Sequence, residues 1–200
     1  MNEAELLQTI RTSSEAKRIL EYDFDFSPVP SPTASRLFQF SDGTSCELVG
    51  RDGTGGEFAL CASRTLPTRP MLYASSEGQA GIISRCLESA LSTIVDLPYW
   101  YDCLKFSGGG QLAEMRRVVP LSESDLIAAT PQITSSRQAL RALLGLSQIP
   151  DSVQALHAAI TELSPLYAVC GPDGWQFESL FNKFTVTSNP SWRRRLELQQ

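Results

Sequence analysis

The chain has 200 residues, of which 42% are hydrophobic and 20% charged, and its formal net charge is −5. This length suits one domain, and the hydrophobic content can fill an ordinary core, which excludes wholesale disorder. The acidic balance excludes a general nucleic-acid binder, because such a protein needs a basic face to neutralise phosphates.

The N-terminal segment 1–25 is predicted to be helical. Apolar residues recur at helical spacing in 3–11 and again in 14–21. Ser13 or Ser14 can cap the second helix, because a serine hydroxyl accepts hydrogen bonds from the first free amides. We therefore expect two short helices before the first proline.

The segment 26–33 is predicted to be an extended connector. It contains the sequence FSPVPSP, and proline fixes φ and excludes the residue before it from the helical region. A sheet–helix core over 34–117 is expected to follow. Its strands are predicted at 37–40, 47–50, 57–61 and 70–74, with a turn at Asp42-Gly43 and a glycine-rich loop at 51–56.

The segment 79–97 is predicted to be the main helix of the fold. Isoleucine, leucine, alanine and valine form one continuous apolar stripe along it. Ser76 and Gln79 fit a capping box, and Pro98 ends the helix. This helix is expected to cover the sheet.

The C-terminal part, 118–192, is predicted to be mainly helical. Gly145 suits a helix C-cap and Asp151 a helix N-cap. After a short helix at 112–117, which ends the sheet–helix core, we expect helices at 122–130, 135–144 and 151–163, followed by a closing hairpin at 167–177.

These elements predict a single α+β domain over 1–200. A small, mainly antiparallel sheet packs against a long amphipathic helix, with further helices from both ends of the chain flanking it. The predicted core comprises Leu48, Phe58, Leu60, Leu72, Ile83, Leu87, Leu91, Ile94, Trp100, Leu140, Leu144, Leu156, Ile160 and Phe181.

The chain carries no targeting or metal-binding pattern that we recognise. The N-terminus lacks the apolar stretch of a signal peptide, and no run approaches the ~20 apolar residues of a membrane span. Five cysteines are widely spaced without a CxxC motif, and His157 is the only histidine. We expect a cytoplasmic protein with reduced thiols, no metal, no cofactor and no membrane contact.

The glycine-rich loop does not match a nucleotide-binding motif. The run GRDGTGG lacks the GxxxxGK[ST] pattern, and it lies between two predicted strands instead of a strand and a helix. Without a helix N-terminus there is no ready anion site. Turn formation is the favoured interpretation.

Catalytic constellations are weak throughout the chain. Ser76 precedes a predicted helix but lacks the GxSxG pattern, and its only possible histidine partner is His157. Glu57 and Glu77 could be paired as glycosidase carboxylates, but any acidic protein offers such pairs. We therefore predict no catalytic residues.

The sequence Pro98-Tyr99-Trp100-Tyr101-Asp102 concentrates aromatic residues at the predicted end of the main helix. Aromatic residues at such corners are often core anchors. They also dominate the hot spots of protein interfaces. The sequence leaves both interpretations open.

The order of elements over 47–100 resembles the SUKH superfamily of bacterial immunity proteins. The matching features are a strand entering a glycine- and aspartate-rich turn at 49–56, a strand at 58–61, a strand ending near a glutamate at 71–77, and an amphipathic helix. The segment GWQFESLFNKF also looks like the close of a bacterial family from such gene neighbourhoods. Members neutralise toxins of polymorphic, contact-dependent or type VI secretion systems.

The resemblance implies a cytosolic protein that binds a cognate toxin domain and inhibits it by occlusion or distortion, with no enzymatic activity. We expect its acidic surface to meet a basic one. The candidate partner-binding residues are Asp52, Glu57, Asp96 and Asp102, taken as exposed carboxylates, with Tyr99 and Tyr101. The alternatives are an intracellular enzyme with an unrecognised site and a structural or adaptor protein of a secretion system.

Overall fold

The fold is α+β, as predicted, and a computed structural model describes residues 1–63 and 66–198. The helices are α1 (Glu3–Thr12), α2 (Ser14–Asp23), α3 (Leu87–Asp96), α4 (Trp100–Lys105), α5 (Leu112–Ala129), α6 (Ile133–Leu144), α7 (Ser152–Ala158) and α8 (Pro190–Glu197). The strands are β1 (Ser27–Thr33), β2 (Gln39–Phe40), β3 (Cys46–Arg51), β4 (Glu57–Cys61), β5 (Met71–Ala74), β6 (Ala80–Ser84) and β7 (Val169–Cys170). A π-helical turn (Ala159–Leu163) and two 3-10 turns (Ser164–Leu166 and Val186–Ser188) complete the elements.

The main sheet is antiparallel, with strand order β1-β3-β4-β5-β6. Successive side chains of a strand point to opposite faces, and both faces of this sheet are covered. Phe58 and Leu60 of β4 join the core formed with the helices of both termini. Ala59 and Cys61 join a second cluster with Phe38 and the π-helical turn. Burial on both faces explains why β4 and β5 are apolar without alternation.

The two edges of the main sheet are closed in different ways. The segment predicted as a connector is extended, but it is edge strand β1, which pairs with β3. Its three prolines lack amide donors and are tolerated because an edge strand needs only one partner. On the other edge, the Ser164 hydroxyl accepts the amide of Ile82, and the Glu178 carbonyl accepts the amide of Ala80.

The prediction of one helix over 79–97 is wrong. Residues 80–84 form strand β6, and helix α3 begins only at Leu87 after Cys86, whose backbone is fully extended. An apolar run buried on both faces has no periodicity that separates strand from helix, so the apolar stripe was misleading. The predicted capping box is instead the β5–β6 turn, in which the Ser75 amide donates to the Gln79 carbonyl.

Two predicted helices, 112–117 and 122–130, are one helix, α5, which continues through Pro120. Proline normally breaks a helix because it lacks an amide and crowds the preceding turn. Here Met115 and Val118 before the proline and Leu121 after it are all buried. Packing on both sides of Pro120 therefore offsets the local penalty.

Several local predictions are confirmed. Ser13 caps α2 by accepting the Ala16 amide, and Asp151 caps α7 by accepting the Gln154 amide. Gly145 ends α6 in the left-handed conformation, with φ of 60°. All predicted core residues are buried except Phe181, which is partly buried.

The closing hairpin exists, although it is shorter than predicted. β7 pairs with β2, and a bridge joins Cys170 to Gln176 across the turn. The predicted first strand at 37–40 therefore belongs to a separate small sheet instead of the main one. None of the helices within the described residues is long and apolar enough to cross a membrane.

Candidate functional site

The glycine-rich loop between β3 and β4 is held by one carboxylate. Asp52 Oδ1 accepts hydrogen bonds from the amides of Thr54 and Gly56, at 2.9 and 2.8 Å, and from the Thr54 hydroxyl. The other oxygen, Oδ2, accepts the Tyr73 hydroxyl at 2.6 Å. Asp52 therefore fixes the loop against β5.

Glycine is needed where this loop approaches β5. A Cβ atom added at Gly56 would lie 2.5 Å from both Asp52 Oδ2 and the Tyr73 hydroxyl, which is closer than side chains tolerate. Gly55 has φ of 91°, a conformation that only glycine adopts freely. The two glycines thus allow the loop to fold back over Tyr73.

Four aromatic rings form a continuous cluster beneath the loop. The centroid of Tyr73 lies 4.9 Å from those of Phe58 and Trp100 and 5.9 Å from that of Tyr101. Trp100 and Tyr101 meet edge to face at 5.6 Å. The Tyr101 hydroxyl donates to Gln79 Oε1 at 3.0 Å. Contacts on several sides hold the rings in place.

A cleft of about 410 Å³ opens beside this cluster. We call it the acidic cleft, and define it by an aromatic wall and a carboxylate rim. The wall contains Tyr73, Trp100 and Tyr101, and the rim contains Asp25, Glu77 and Glu178. Its volume lies within the range of ligand-binding pockets, ~300–1,000 Å³.

The charge of the acidic cleft is strongly negative. Of the residues that the structure describes, four carboxylates line it, since Asp52 adds to the three of the rim, against the single ammonium of Lys105. Among the described residues, neither Glu77 nor Glu178 forms a salt bridge, and both are exposed. Asp25 is exposed as well, and its Oδ1 accepts the Gly53 amide at 2.8 Å. The cleft therefore presents carboxylates that the fold has not neutralised.

Burial and charge raise the pKa of the tyrosines in this region. The pKa of Tyr73 is raised mainly by burial and further by its hydrogen bond to Asp52. The pKa of Tyr101 is raised by burial and by the negative charge of Glu77. Both rings therefore carry neutral hydroxyl groups at physiological pH.

Of the six residues predicted to bind a partner, the structure brings Asp52 and Tyr101 together in the acidic cleft. Glu57 is not the exposed carboxylate that we expected, because it is only 4% exposed. It accepts hydrogen bonds from Arg51 and from the Ser35 hydroxyl. Its burial follows from its position in β4, where both faces are covered.

Asp96, also expected to be exposed, is mostly buried at the end of α3. It forms an ion pair with Arg141 and accepts the Ser152 hydroxyl at 2.6 Å. The amide of Ile149 donates to the same carboxylate oxygen at 3.3 Å. Asp96 thus joins α3 to α6 and α7 and lies outside the acidic cleft.

Tyr99 and Asp102 are partly buried and also lie outside the acidic cleft. Burial and a hydrogen bond to Glu123 raise the pKa of Tyr99. Burial raises the pKa of the Asp102 carboxyl, against the opposing charge of Lys105. Tyr99 is the N-cap residue of α4, and Asp102 follows it by three residues, so the two share one side of this helical turn.

Sequence reasoning missed the rim of the acidic cleft. Glu178 and Asp25 lie near opposite ends of the chain, and Glu77 was considered as a possible catalytic partner of Glu57 and as the glutamate near the end of a predicted strand. Asp25 has φ of 49°, and it is the only non-glycine residue with positive φ among those described. Phe184 at the cleft mouth is 52% exposed. The only local sequence pattern on this side of the cleft is the spacing of polar and aromatic residues in ESLFNKF.

Ser76 and His157, considered above as a catalytic pair, are each bonded to a different backbone carbonyl. The Ser76 hydroxyl donates to the Thr54 carbonyl, and His157 Nε2 donates to the Gly110 carbonyl at 2.9 Å. Burial raises the pKa of the Cys103 thiol to about 12, which opposes thiolate formation. Within residues 1–63 and 66–198, no group of three or more histidine, cysteine or acidic side chains is placed to hold a metal ion.

The acidic cleft can bind a cation, since it combines unneutralised carboxylates with aromatic walls. Comparison with known proteins adds no assignment: no family model, no curated protein and no solved structure matches the chain.

Proposed function

We propose that the chain is a toxin-neutralising immunity protein, which binds a cognate bacterial toxin domain in the cytoplasm and inhibits it. The observation that carries the proposal is the acidic cleft, with its fixed aromatic wall and its carboxylate rim. Many toxins that act on nucleic acids or nucleotides have basic clefts, which are complementary to such a surface. The resemblance over 47–100 to immunity proteins points to the same class.

The surface around the cleft has the composition of a binding hot spot. Phe184 is 52% and Trp175 is 43% exposed, whereas large apolar side chains are normally buried. Trp175 packs beside Gly78, next to Glu77 of the rim. Exposed aromatic residues next to unpaired carboxylates suit a protein partner with a basic and partly apolar face.

The rim carboxylates and the exposed aromatic residues are expected to affect different rate constants of binding. Rim carboxylates attract a basic partner from a distance, so their loss lowers the association rate, most strongly at low salt. Tyr101 and Phe184 lose water only once the complex has formed, so their loss raises the dissociation rate. Inhibition follows if the bound chain covers the basic cleft of the toxin.

The test is rescue from a neighbouring toxin. The C-terminal domain encoded by the adjacent upstream open reading frame is expressed under tight control, with and without this chain. We expect growth to be restored only with the chain present, and the two proteins to elute as one complex from gel filtration. Absence of both rescue and a complex would remove the proposal.

A variant series locates the interface. The variant Phe184→Ala should weaken rescue, and Glu77→Lys combined with Glu178→Lys should abolish it at low toxin expression. The matched control is Ile127→Ala, because Ile127 is 49% exposed on α5 and does not line the cleft. Full rescue by every cleft variant would place the interface elsewhere on the molecule.

A further inference from the structure

We propose that the acidic cleft accepts one arginine side chain that projects from the surface of a partner protein. The inference rests on the proposed function, since it names the group by which a basic partner would be recognised. A guanidinium is planar, always charged and weakly hydrated, so it can stack on an aromatic ring while it donates to carboxylates. The cleft offers both kinds of contact within one cavity.

Tyr101 provides a stacking surface that is already in position, because it is the partly exposed ring of the aromatic wall. Trp100 and Tyr73, which are 6% and 2% exposed, lie behind it and meet it edge to face. The Tyr101 ring is further held by the hydrogen bond to Gln79. Because these rings need not be ordered on binding, a cation can enter with little entropic cost to the protein.

The carboxylate rim provides the charge. Glu77 and Glu178 are brought together by backbone contacts, since the Glu178 amide donates to the Gly78 carbonyl at 2.8 Å. Residues 79 and 178 also form a parallel bridge. The side chains are exposed and free of salt bridges within the described part of the chain. Two carboxylates at one cavity mouth match the several donors of a guanidinium.

Lys105, the one cationic side chain at the cleft among residues 1–63 and 66–198, is engaged elsewhere. The Lys105 ammonium lies over the Phe106 ring, 5.7 Å from its centroid, and its charge also acts on the partly buried Asp102 carboxyl. It therefore leaves the Glu77 and Glu178 side free for an incoming cation. A free amino acid would also carry a carboxylate into this negative cavity, which favours an arginine within a polypeptide.

The direct test uses short peptides and NMR spectroscopy of the intact chain. The probes are acetyl-Gly-Arg-Gly-amide, its lysine analogue, its neutral citrulline analogue and free L-arginine. We expect saturable shifts at the Trp100 indole and the Ser76 and Gly78 amides with the arginine peptide. The citrulline peptide should bind about tenfold more weakly, and lysine and free arginine should be intermediate.

Paired variants locate the charge. Glu77→Gln and Glu178→Gln should each weaken the arginine peptide several-fold, and the double variant about tenfold. Glu197→Gln is the matched control, because Glu197 is exposed on α8 and does not line the cleft. Unchanged thermal midpoints will show that the rim variants are folded.

Equal binding of the arginine and citrulline peptides would overturn the inference, as would shifts confined to other surfaces. Equal binding of the arginine and lysine peptides would show that the cleft does not select a guanidinium. Tighter binding of free L-arginine than of the arginine peptide would show that the ligand is not an arginine within a polypeptide. If rescue from the toxin succeeds while the peptides fail to bind, only the arginine pocket is excluded. If the peptides bind while rescue fails, the pocket stands and the immunity function falls.

Discussion

The carboxylates of two regions of the molecule, the acidic cleft and the C-terminal end of α3, are held differently by the fold. At the acidic cleft, Glu77 and Glu178 are exposed and have no salt bridge among the described residues. In the cluster of Asp96, Glu123, Arg137, Arg141 and Ser152, which we call the Arg137 cluster, each carboxylate is joined to a guanidinium. Arg137 donates two hydrogen bonds to Glu123, at 2.6 and 2.8 Å.

The contrast separates charges that stabilise the fold from charges available to a partner. Besides its ion pair with Glu123, Arg137 donates to the carbonyl of Val95 at 3.0 Å, so it also caps the C-terminal end of α3. Removing a member of that cluster leaves a partly buried charge without its partner. Removing Glu77 or Glu178 leaves no charged group of the described chain without its counterion. The predictions below test this difference through stability.

The largest expected effect is that of Asp96→Ala. The substitution leaves Arg141 without its counterion and removes the acceptor for Ser152 and Ile149, so we expect a loss of about 3 kcal/mol in the free energy of unfolding. Urea denaturation at neutral pH measures the loss. A change below about 0.5 kcal/mol, as for an ordinary surface substitution, would remove the distinction between the two regions.

The next effect is that of Tyr73→Phe. It removes the hydroxyl that donates to the Asp52 carboxylate at 2.6 Å, and a hydrogen bond to a charged group contributes about 2 kcal/mol. Urea denaturation gives the loss, and amide exchange at Gly56 should become faster as the loop loosens. Tyr22→Phe is the control, because Tyr22 is 78% exposed. Equal effects in the two variants would contradict a role for the Asp52 contact.

A smaller effect depends on pH. The Arg137 hydrogen bonds hold the pKa of Glu123 below its ordinary value of 4.5. The folded state therefore gains stability from this carboxylate above pH 4.5, and loses that gain as the pH falls through the lower pKa of the folded state.

Glu123→Gln should lower stability at pH 7 and reduce the further loss between pH 5 and pH 3. Urea midpoints across that range measure how steeply stability changes with pH, with Glu178→Gln as the reference variant. A slope identical to that of the unsubstituted chain would show that the Arg137 cluster does not control acid stability.

The smallest effect is expected at the rim. Glu77→Gln combined with Glu178→Gln should change the free energy of unfolding by less than about 0.5 kcal/mol, because neither carboxylate supports another part of the fold. Thermal unfolding at low and high salt measures the change. A loss of 2 kcal/mol or more would mean that the rim carboxylates stabilise the chain, and the comparison would fail.

Signals that act within a few residues were readable from the sequence. Ser13, Gly145 and Asp151 cap their helices as predicted, because a cap depends on adjacent backbone groups. The α+β class followed from the glycine-rich turn and the flanking apolar runs. The strand at 80–84 did not follow, since its burial depends on the main core, which covers Ile83 on one face, and on the π-helical turn, which covers Ile82 on the other.

The candidate site could be predicted only in part. Asp52 and Tyr101 were identified because an acidic glycine loop and an aromatic corner are unusual local patterns. Asp25 and Glu178 reach the same cleft through tertiary contacts, and no local pattern connects them. Glu57 and Asp96 were wrongly predicted to be exposed. The sequence around a carboxylate does not show that a distant or neighbouring arginine will pair with it.

The closed edges of the main sheet determine how the chain can change its binding partner. A partner cannot extend the sheet along β1, where three prolines withhold amide donors, or along β6, where Ser164 and Glu178 occupy two of its amides. A partner must therefore be recognised by side chains instead of by backbone strand pairing. Exchanging a few surface residues could redirect the chain to a new partner without disturbing its backbone, and the same closed edges would protect each such variant from pairing with its own copies.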